Sequence, residues 1–79
     1  MITRYVQQAL RRARYEKLDD GTYYGAVPRL RGVLATARTL KECRNQLGEV
    51  VEEWVLVRVA KGLAVPAFGK VEVKVKKAG

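Results

Sequence analysis

Residues 14–27 read RYEKLDDGTYYGAV, two segments that flank the turn signal Asp19-Asp20-Gly21. Asp-Gly favours a tight turn, because glycine accepts the positive φ that a two-residue hairpin requires. The pattern therefore predicts two antiparallel strands, at Arg14–Leu18 and Thr22–Val27. Pro28 ends the second strand, since proline has no backbone N–H to donate to a neighbouring strand.

A third short strand and a long helix follow this hairpin. Gly32 precedes the predicted strand Val33–Ala37, and Thr39-Leu40-Lys41-Glu42 fits a capping box that begins a helix. Steps of three and four then predict one buried stripe, formed by Leu40, Cys43, Leu47, Val50, Trp54 and Val57. Residues 54–59 are also rich in strand-forming residues, but the unbroken spacing favours a helix that ends at Gly62.

The two ends of the chain predict one further element each. Residues 3–12 place apolar side chains on one helical face, which indicates an N-terminal helix. Residues 70–76 alternate charged side chains with valine, which is typical of a strand with one buried face.

The predicted order is helix, three strands, long helix and strand, within a single domain spanning 1–79. A right-handed crossover would place the last strand beside the first. We therefore expect an α+β fold with a four-stranded mixed sheet, in the order 3-2-1-4, packed on one long helix.

The composition argues against a membrane protein and against an enzyme. No apolar run approaches the roughly 18 residues of a membrane span, and the N-terminus lacks a signal-peptide pattern, so we expect a cytoplasmic protein. The chain has no His, and its one cysteine, Cys43, falls on the predicted buried stripe. Asp19 and Asp20 are neighbours in a turn and point apart, which favours a solvated turn over a metal site. We expect no catalytic residue, no cofactor and no metal.

The net charge of +8 is concentrated at the two ends of the chain, with residues 19–60 balanced. If the last strand pairs with the first, these ends meet in a basic patch. Arg12 and Arg14 would share one face of the first strand, and the last strand would add Lys70, Lys74 and Lys76. Such a patch is a candidate contact for nucleic acid or for a partner protein. The alternative is that lysines on an edge strand keep sheets from joining edge to edge.

The small size of the chain favours self-association. A core built from 79 residues contributes only about 3–5 kcal/mol of net stability, and oligomerisation is a common remedy. We predict a homodimer, or a tetramer built from dimers. Its candidate contacts are the apolar residues of the N-terminal helix and of the second strand, namely Ile2, Tyr5, Val6, Leu10, Tyr23 and Tyr24.

The order of these motifs resembles the HicB-like antitoxin family over about residues 14–76. The similar parts are Tyr15, Asp20-Gly21-Thr22-Tyr23, Val27-Pro28-Arg29-Leu30-Arg31-Gly32, Thr39-Leu40-Lys41-Glu42 and Gly62 followed by Val65-Pro66. The resemblance implies a reduced ribonuclease H-like fold. It also implies a domain that neutralises a small toxin ribonuclease by protein–protein contact, or an orphaned descendant of such a domain.

The chain also departs from the family pattern. Arg29 and Arg31 stand where members often have an acidic residue and a proline, and Ala37-Arg38 replaces a common Gly-acidic pair. These changes weaken the idea that charge alone masks a basic toxin. Residues 1–12 lie outside the core pattern, and we expect no C-terminal DNA-binding module after residue 79. The alternative function is that of a nucleic-acid-binding protein that uses the basic patch.

Overall fold

The computed structural model describes residues 2–68, and within them the chain forms two helices and a three-stranded antiparallel sheet. The elements are α1 (Ile2–Arg11), β1 (Arg14–Lys17), β2 (Tyr23–Ala26), β3 (Leu34–Ala37) and α2 (Leu40–Ala60). The α+β class, the three strands and the long helix are confirmed. The predicted fourth strand at 70–76 lies outside the described residues.

The sheet has the order β1-β2-β3, and the hairpin turn falls where the sequence predicts it. The backbone N–H of Leu18 donates to Thr22 O at 2.8 Å, so the loop consists of the three residues 19–21 and not of the two that a tight hairpin uses. Gly21 adopts a φ of 87°, in the left-handed region that favours glycine. The backbone N–H and the hydroxyl of Thr22 both donate to Asp20 Oδ1, at 2.9 and 2.6 Å. These hydrogen bonds stabilise the carboxylate and lower the pKa of Asp20. The two aspartates thus form a polar turn, and Asp20 uses its carboxylate to hold that turn.

Side-chain alternation gives the sheet two different faces. A Cβ added to Gly25 would lie 2.9 Å from the ring of Tyr15 and 3.1 Å from Cys43 Sγ, so this face packs against α2. The opposite face, which we call the open sheet face, carries Arg14, Glu16, Tyr24, Ala26, Leu34 and Thr36.

Helix α2 begins and ends where the sequence predicts. Thr39 Oγ1 accepts the backbone N–H of Glu42 at 3.1 Å, which is the Thr half of the capping box. Gly62 has a φ of 69°, and the N–H of Leu63 donates to Arg58 O at 2.8 Å, which closes a Schellman motif. Residues 54–59 are helical, so the helix interpretation of this segment is confirmed.

The buried stripe of α2 differs from the predicted one at both ends. The buried residues recur in steps of four, namely Cys43, Leu47, Val51 and Val55. Val50 and Trp54 are half-buried at the margin of this row, whereas Leu40 and Val57 are 49% and 46% exposed. A row in steps of four turns slowly around a helix of 3.6 residues per turn. The buried side of α2 can turn along the helix in this way because two partners cover it, the β2–β3 part of the sheet and α1.

Helix α1 packs on α2 at Gly48. A Cβ on Gly48 would lie 3.5 Å from Leu10 Cδ1 and 3.7 Å from Val6 Cγ1, which are ordinary contact distances, so these two side chains of α1 pack over this position of α2. Tyr5 is fully buried, and its ring centroid lies 5.0 Å from that of Phe68. The Tyr5 hydroxyl also donates to Pro66 O. Contacts between residues so distant in sequence tie the N-terminal helix to the segment that follows α2.

Candidate functional site

The first candidate surface is the open sheet face. Within residues 2–68, both helices lie away from it, since α2 covers the opposite face and α1 packs on α2. Leu34 is 48% exposed here, and Tyr24 is half-buried beside it. The face therefore presents aromatic and aliphatic surface to solvent.

A shallow cavity of about 400 Å³ opens at the β1 side of this face. Its lining residues are Arg14, Tyr15, Glu16, Tyr24, Ala26 and Pro28. Glu16 is the cross-strand neighbour of Tyr24, and Arg14 is that of Ala26, so charges of both signs flank the apolar centre. This arrangement suits contact with a mixed protein surface better than contact with a uniformly charged one.

The second candidate surface is a set of cations around Phe68. The guanidinium carbons of Arg12 and Arg29 lie 5.4 and 5.8 Å from the centroid of this ring, which is only 1% exposed. Both distances are within the range of a cation–π contact. The two arginines come from the turn after α1 and from the β2–β3 loop, so β1 and β2 separate them in the sequence.

This position of Arg12 overturns part of the predicted basic patch. Arg12 lies in the turn after α1, where its Nη1 donates to Gln8 O and Gln8 Oε1 at 3.3 and 2.9 Å. Only Arg14 belongs to β1 and to the open sheet face, so the prediction that both share one strand face is wrong. The physical reason is that α1 persists to Arg11 and the strand starts only at Arg14. Lys70, Lys74 and Lys76 lie outside the described residues.

The third candidate surface is a groove at the C-terminal end of α2, which we call the Trp54 groove. It has a volume of about 370 Å³ and is lined by Val50, Glu53, Trp54, Val57, Arg58, Lys61 and Leu63. The Arg58 guanidinium carbon lies 4.9 Å from the Trp54 ring centroid, and Arg58 Nε donates to Ala64 O at 2.7 Å. Apolar side chains thus form the floor of the groove, with cations at its margin.

Burial controls the titratable groups of the core. It raises the pKa of Tyr5, although the nearby Arg29 and Arg58 partly oppose the shift. It also raises the pKa of Tyr15 and of the Cys43 thiol. Cys43 is 0% exposed, and its Sγ lies 3.5 Å from Ala35 O as a weak donor. Cys43 is therefore a core residue, as predicted, and a buried neutral thiol is a poor nucleophile.

Two further observations hold for the part of the chain that the structure describes. None of its acidic and cysteine side chains form a group of three or more that would hold a metal ion. Neither of its helices combines the length and the apolar character that crossing a bilayer demands.

The candidate oligomer contacts divide between the core and the surface. Tyr5 is fully buried inside the chain, so the prediction that it contacts a second copy is wrong. Its ring packs against Phe68, and its hydroxyl donates to Pro66 O. Val6 and Leu10 are half-buried against α2, and Tyr23 lies on the α2 side of the sheet. Tyr24 is on the open sheet face, whereas the side chain of Ile2 lies outside the described part.

Comparison with known proteins identifies the family of this chain. The model of the UPF0150-like family matches residues 4–66, which include most of α1, the whole sheet and α2. The chain belongs to the UPF0150-like family. No curated protein matches it.

A solved structure supports the fold independently. The crystal structure of TTHA0281 from Thermus thermophilus is similar, with a TM-score of 0.87 and 40% sequence identity. The similarity covers 96% of this chain and 95% of that one. The two proteins therefore share the same α+β fold.

Two surfaces of this UPF0150-like chain were missed by sequence reasoning. Arg29 differed only from a family pattern, and the charge distribution did not single out Arg58 because it lies in the balanced middle of the sequence. Trp54 was assigned to the core, whereas it lines a groove. One signal was present in the sequence, since Trp54 and Arg58 are four residues apart on one helical face.

Proposed function

We propose that this chain is a HicB-like, antitoxin-like binding domain that neutralises a small toxin ribonuclease by protein–protein contact, or an orphaned descendant of one. The observation that carries the proposal is the open sheet face, where Tyr24 and Leu34 remain accessible in the described chain. Family membership supports it, because the UPF0150-like match and the motif order that resembles HicB-like proteins overlap over residues 14–66.

The composition of the open sheet face fits a protein partner. An antiparallel sheet that leaves one face to water usually makes that face polar. Here three of the six side chains are apolar or aromatic, and an accessible tyrosine is typical of the centre of an interface. Arg14 and Glu16 supply one charge of each sign, so the contact would depend on shape and apolar burial more than on net charge.

The proposal includes the finer fold that the resemblance implies. In a reduced ribonuclease H-like sheet, residues 70–76 would add a fourth strand beside β1, parallel to it. The free edge of β1 in the described sheet leaves room for such a strand. The open sheet face would then widen by one strand.

The proposed action is binding without catalysis. The one cysteine is buried, and the chain has no histidine to act as a general base near neutral pH. Neutralisation would follow from covering the active surface of the partner.

The test is co-expression with the product of a neighbouring short gene that arrests growth on its own. We expect this chain to relieve the arrest and to co-purify with that product. Leu34→Glu should abolish both effects, because it replaces the exposed leucine of the open sheet face with a charge. Leu56→Glu is the matched control, since Leu34 and Leu56 are both 48% exposed but Leu56 lies on α2.

Two results would contradict the proposal. Growth arrest that persists with the wild-type chain present would exclude an antitoxin role for that gene pair. If Leu56→Glu lost the relief of growth arrest while Leu34→Glu kept it, the contact would lie on α2 and not on the sheet.

A further inference from the structure

Three arginines from three different elements converge on the segment that follows α2. Arg12 follows α1, Arg29 lies in the β2–β3 loop and Arg58 is near the end of α2. Arg12 and Arg29 contact the ring of Phe68, while Arg58 donates to Ala64 O. We call these three residues the arginine row.

The three arginines of the row contact one short segment of the chain, residues 64–68. Arg12 and Arg29 lie over the same ring, so their separation cannot exceed the sum of their two distances to its centroid. Tyr5 lies beside the same segment, since its ring packs against Phe68 at a tilt of 52° and its hydroxyl donates to Pro66 O. Like charges gathered around one short segment repel one another, most strongly at low salt, because physiological salt screens exposed charges beyond about 8 Å. An anion bound along the row would remove that repulsion and gain charge-assisted hydrogen bonds.

The row continues directly into the Trp54 groove. Arg58 contacts the Trp54 ring on one side and the Ala64 carbonyl on the other, so it belongs to both surfaces. Lys61 adds a fourth cation at the margin, and Glu53 is the one carboxylate that lines the groove. The floor, formed by Val50, Val57 and Leu63 around the indole, is apolar and open to solvent. A cationic track beside an aromatic, apolar recess is the combination that binds a backbone together with an unstacked base.

We propose that the arginine row and the Trp54 groove form one binding site for single-stranded nucleic acid. Phosphates lie along Arg58, Arg29 and Arg12, and one unpaired base occupies the groove against Trp54. A duplex keeps its bases stacked and paired, so it offers phosphates to the row but no base to the groove. The site uses none of the six residues of the open sheet face, so it is separate from the proposed protein contact.

The single tryptophan of the chain makes the groove directly observable. Trp54 fluorescence is followed while a single-stranded oligouridylate of about eight nucleotides is added at low salt, a length within the usual range for such sites. We expect saturable quenching, and an affinity that falls steeply as salt is raised. A DNA duplex of similar length should bind more weakly and leave the tryptophan signal unchanged.

Paired variants separate this site from general attraction to a basic protein. Arg12→Gln combined with Arg29→Gln removes two cations of the row and spares Arg58, which also supports the backbone at Ala64. Each lost phosphate contact should reduce the slope of log K against log salt by about 0.7, so the double variant should lose about 1.4. The matched control is Arg38→Gln with Lys41→Gln, which removes the same charge from two exposed residues. Lys41 is roughly 25 Å from Arg58 along the helix axis, at 1.5 Å per residue.

Circular dichroism of each variant establishes that the fold is retained. A control variant that reduces affinity and salt slope as much as the row variant would overturn the proposal. So would an unchanged Trp54 signal with saturating oligonucleotide, or equal quenching by the duplex. Binding of the single strand that is weakened only by the row variant, with quenching of Trp54, would establish it.

Discussion

At the scale of single residues, Tyr15 holds the least satisfied group in the described core. Its hydroxyl is buried and finds no hydrogen-bond partner among residues 2–68, while its ring packs beside Gly25 on the α2 side of the sheet. A buried polar group without a partner costs about 1–3 kcal/mol. Burial also raises the pKa of this phenol, which keeps it neutral.

Tyr15→Phe removes this hydroxyl and keeps the ring. We expect the free energy of unfolding to rise by about 1 kcal/mol, because the desolvation cost disappears and the packing is preserved. Urea denaturation followed by circular dichroism measures the change. A decrease of similar size would mean that the hydroxyl has a partner in solution, such as a buried water.

At the scale of elements, two glycines report how closely neighbouring layers approach. Gly48→Ala should stabilise the protein by about 0.5–1 kcal/mol, because alanine is the better helix former and its Cβ would meet Leu10 and Val6 at ordinary contact distances. Gly25→Ala should destabilise it, because the new Cβ would lie 2.9 Å from the Tyr15 ring. Thermal melts of the two variants, which add the same methyl group, provide the comparison. Equal melting temperatures would contradict the described spacing of the layers.

A second pair of variants tests which face of α2 is buried. Leu47 is 0% exposed, so Leu47→Ala should leave a cavity and cost about 2–5 kcal/mol, close to the whole stability of a domain this small. Trp54→Ala should cost less than the ~3–5 kcal/mol of a fully buried tryptophan, since Trp54 is only half-buried. The midpoints of denaturant unfolding show which of the two variants is less stable. A Trp54→Ala variant less stable than Leu47→Ala would show that Trp54 is a core residue, as the sequence predicts.

At the scale of the whole molecule, we predict a homodimer or a tetramer of dimers. The open sheet face is the surface that a second copy would cover in a two-fold contact. Self-association would also protect this apolar surface when no other partner is bound. Sedimentation at micromolar concentration should give a mass of two or four times the 8.9 kDa of one chain. Leu34→Glu should shift the protein toward the monomer, and a wild-type chain that sediments as a monomer would refute the prediction.

Local signals in the sequence determined the elements of this protein. The Asp20-Gly21 turn, the Thr39 cap and the Gly62 stop each act through hydrogen bonds or a backbone angle within a few residues, so the chain near them specifies the outcome. The same local logic predicted that Cys43 and Leu47 are buried. The order of the three strands followed from short connections between antiparallel neighbours.

The tertiary structure decided which surfaces these elements cover and which they leave free. Tyr5 is buried because Pro66 and Phe68, which are about sixty residues away in the chain, pack on it. Arg12 and Arg29 meet on the same ring for the same reason, and α2 turns a different row inward because it packs on both the sheet and α1. Periodicity identifies an apolar face but contains no information about the partner that covers it. Contacts between distant segments supply that information, and they place the candidate binding surfaces of this chain.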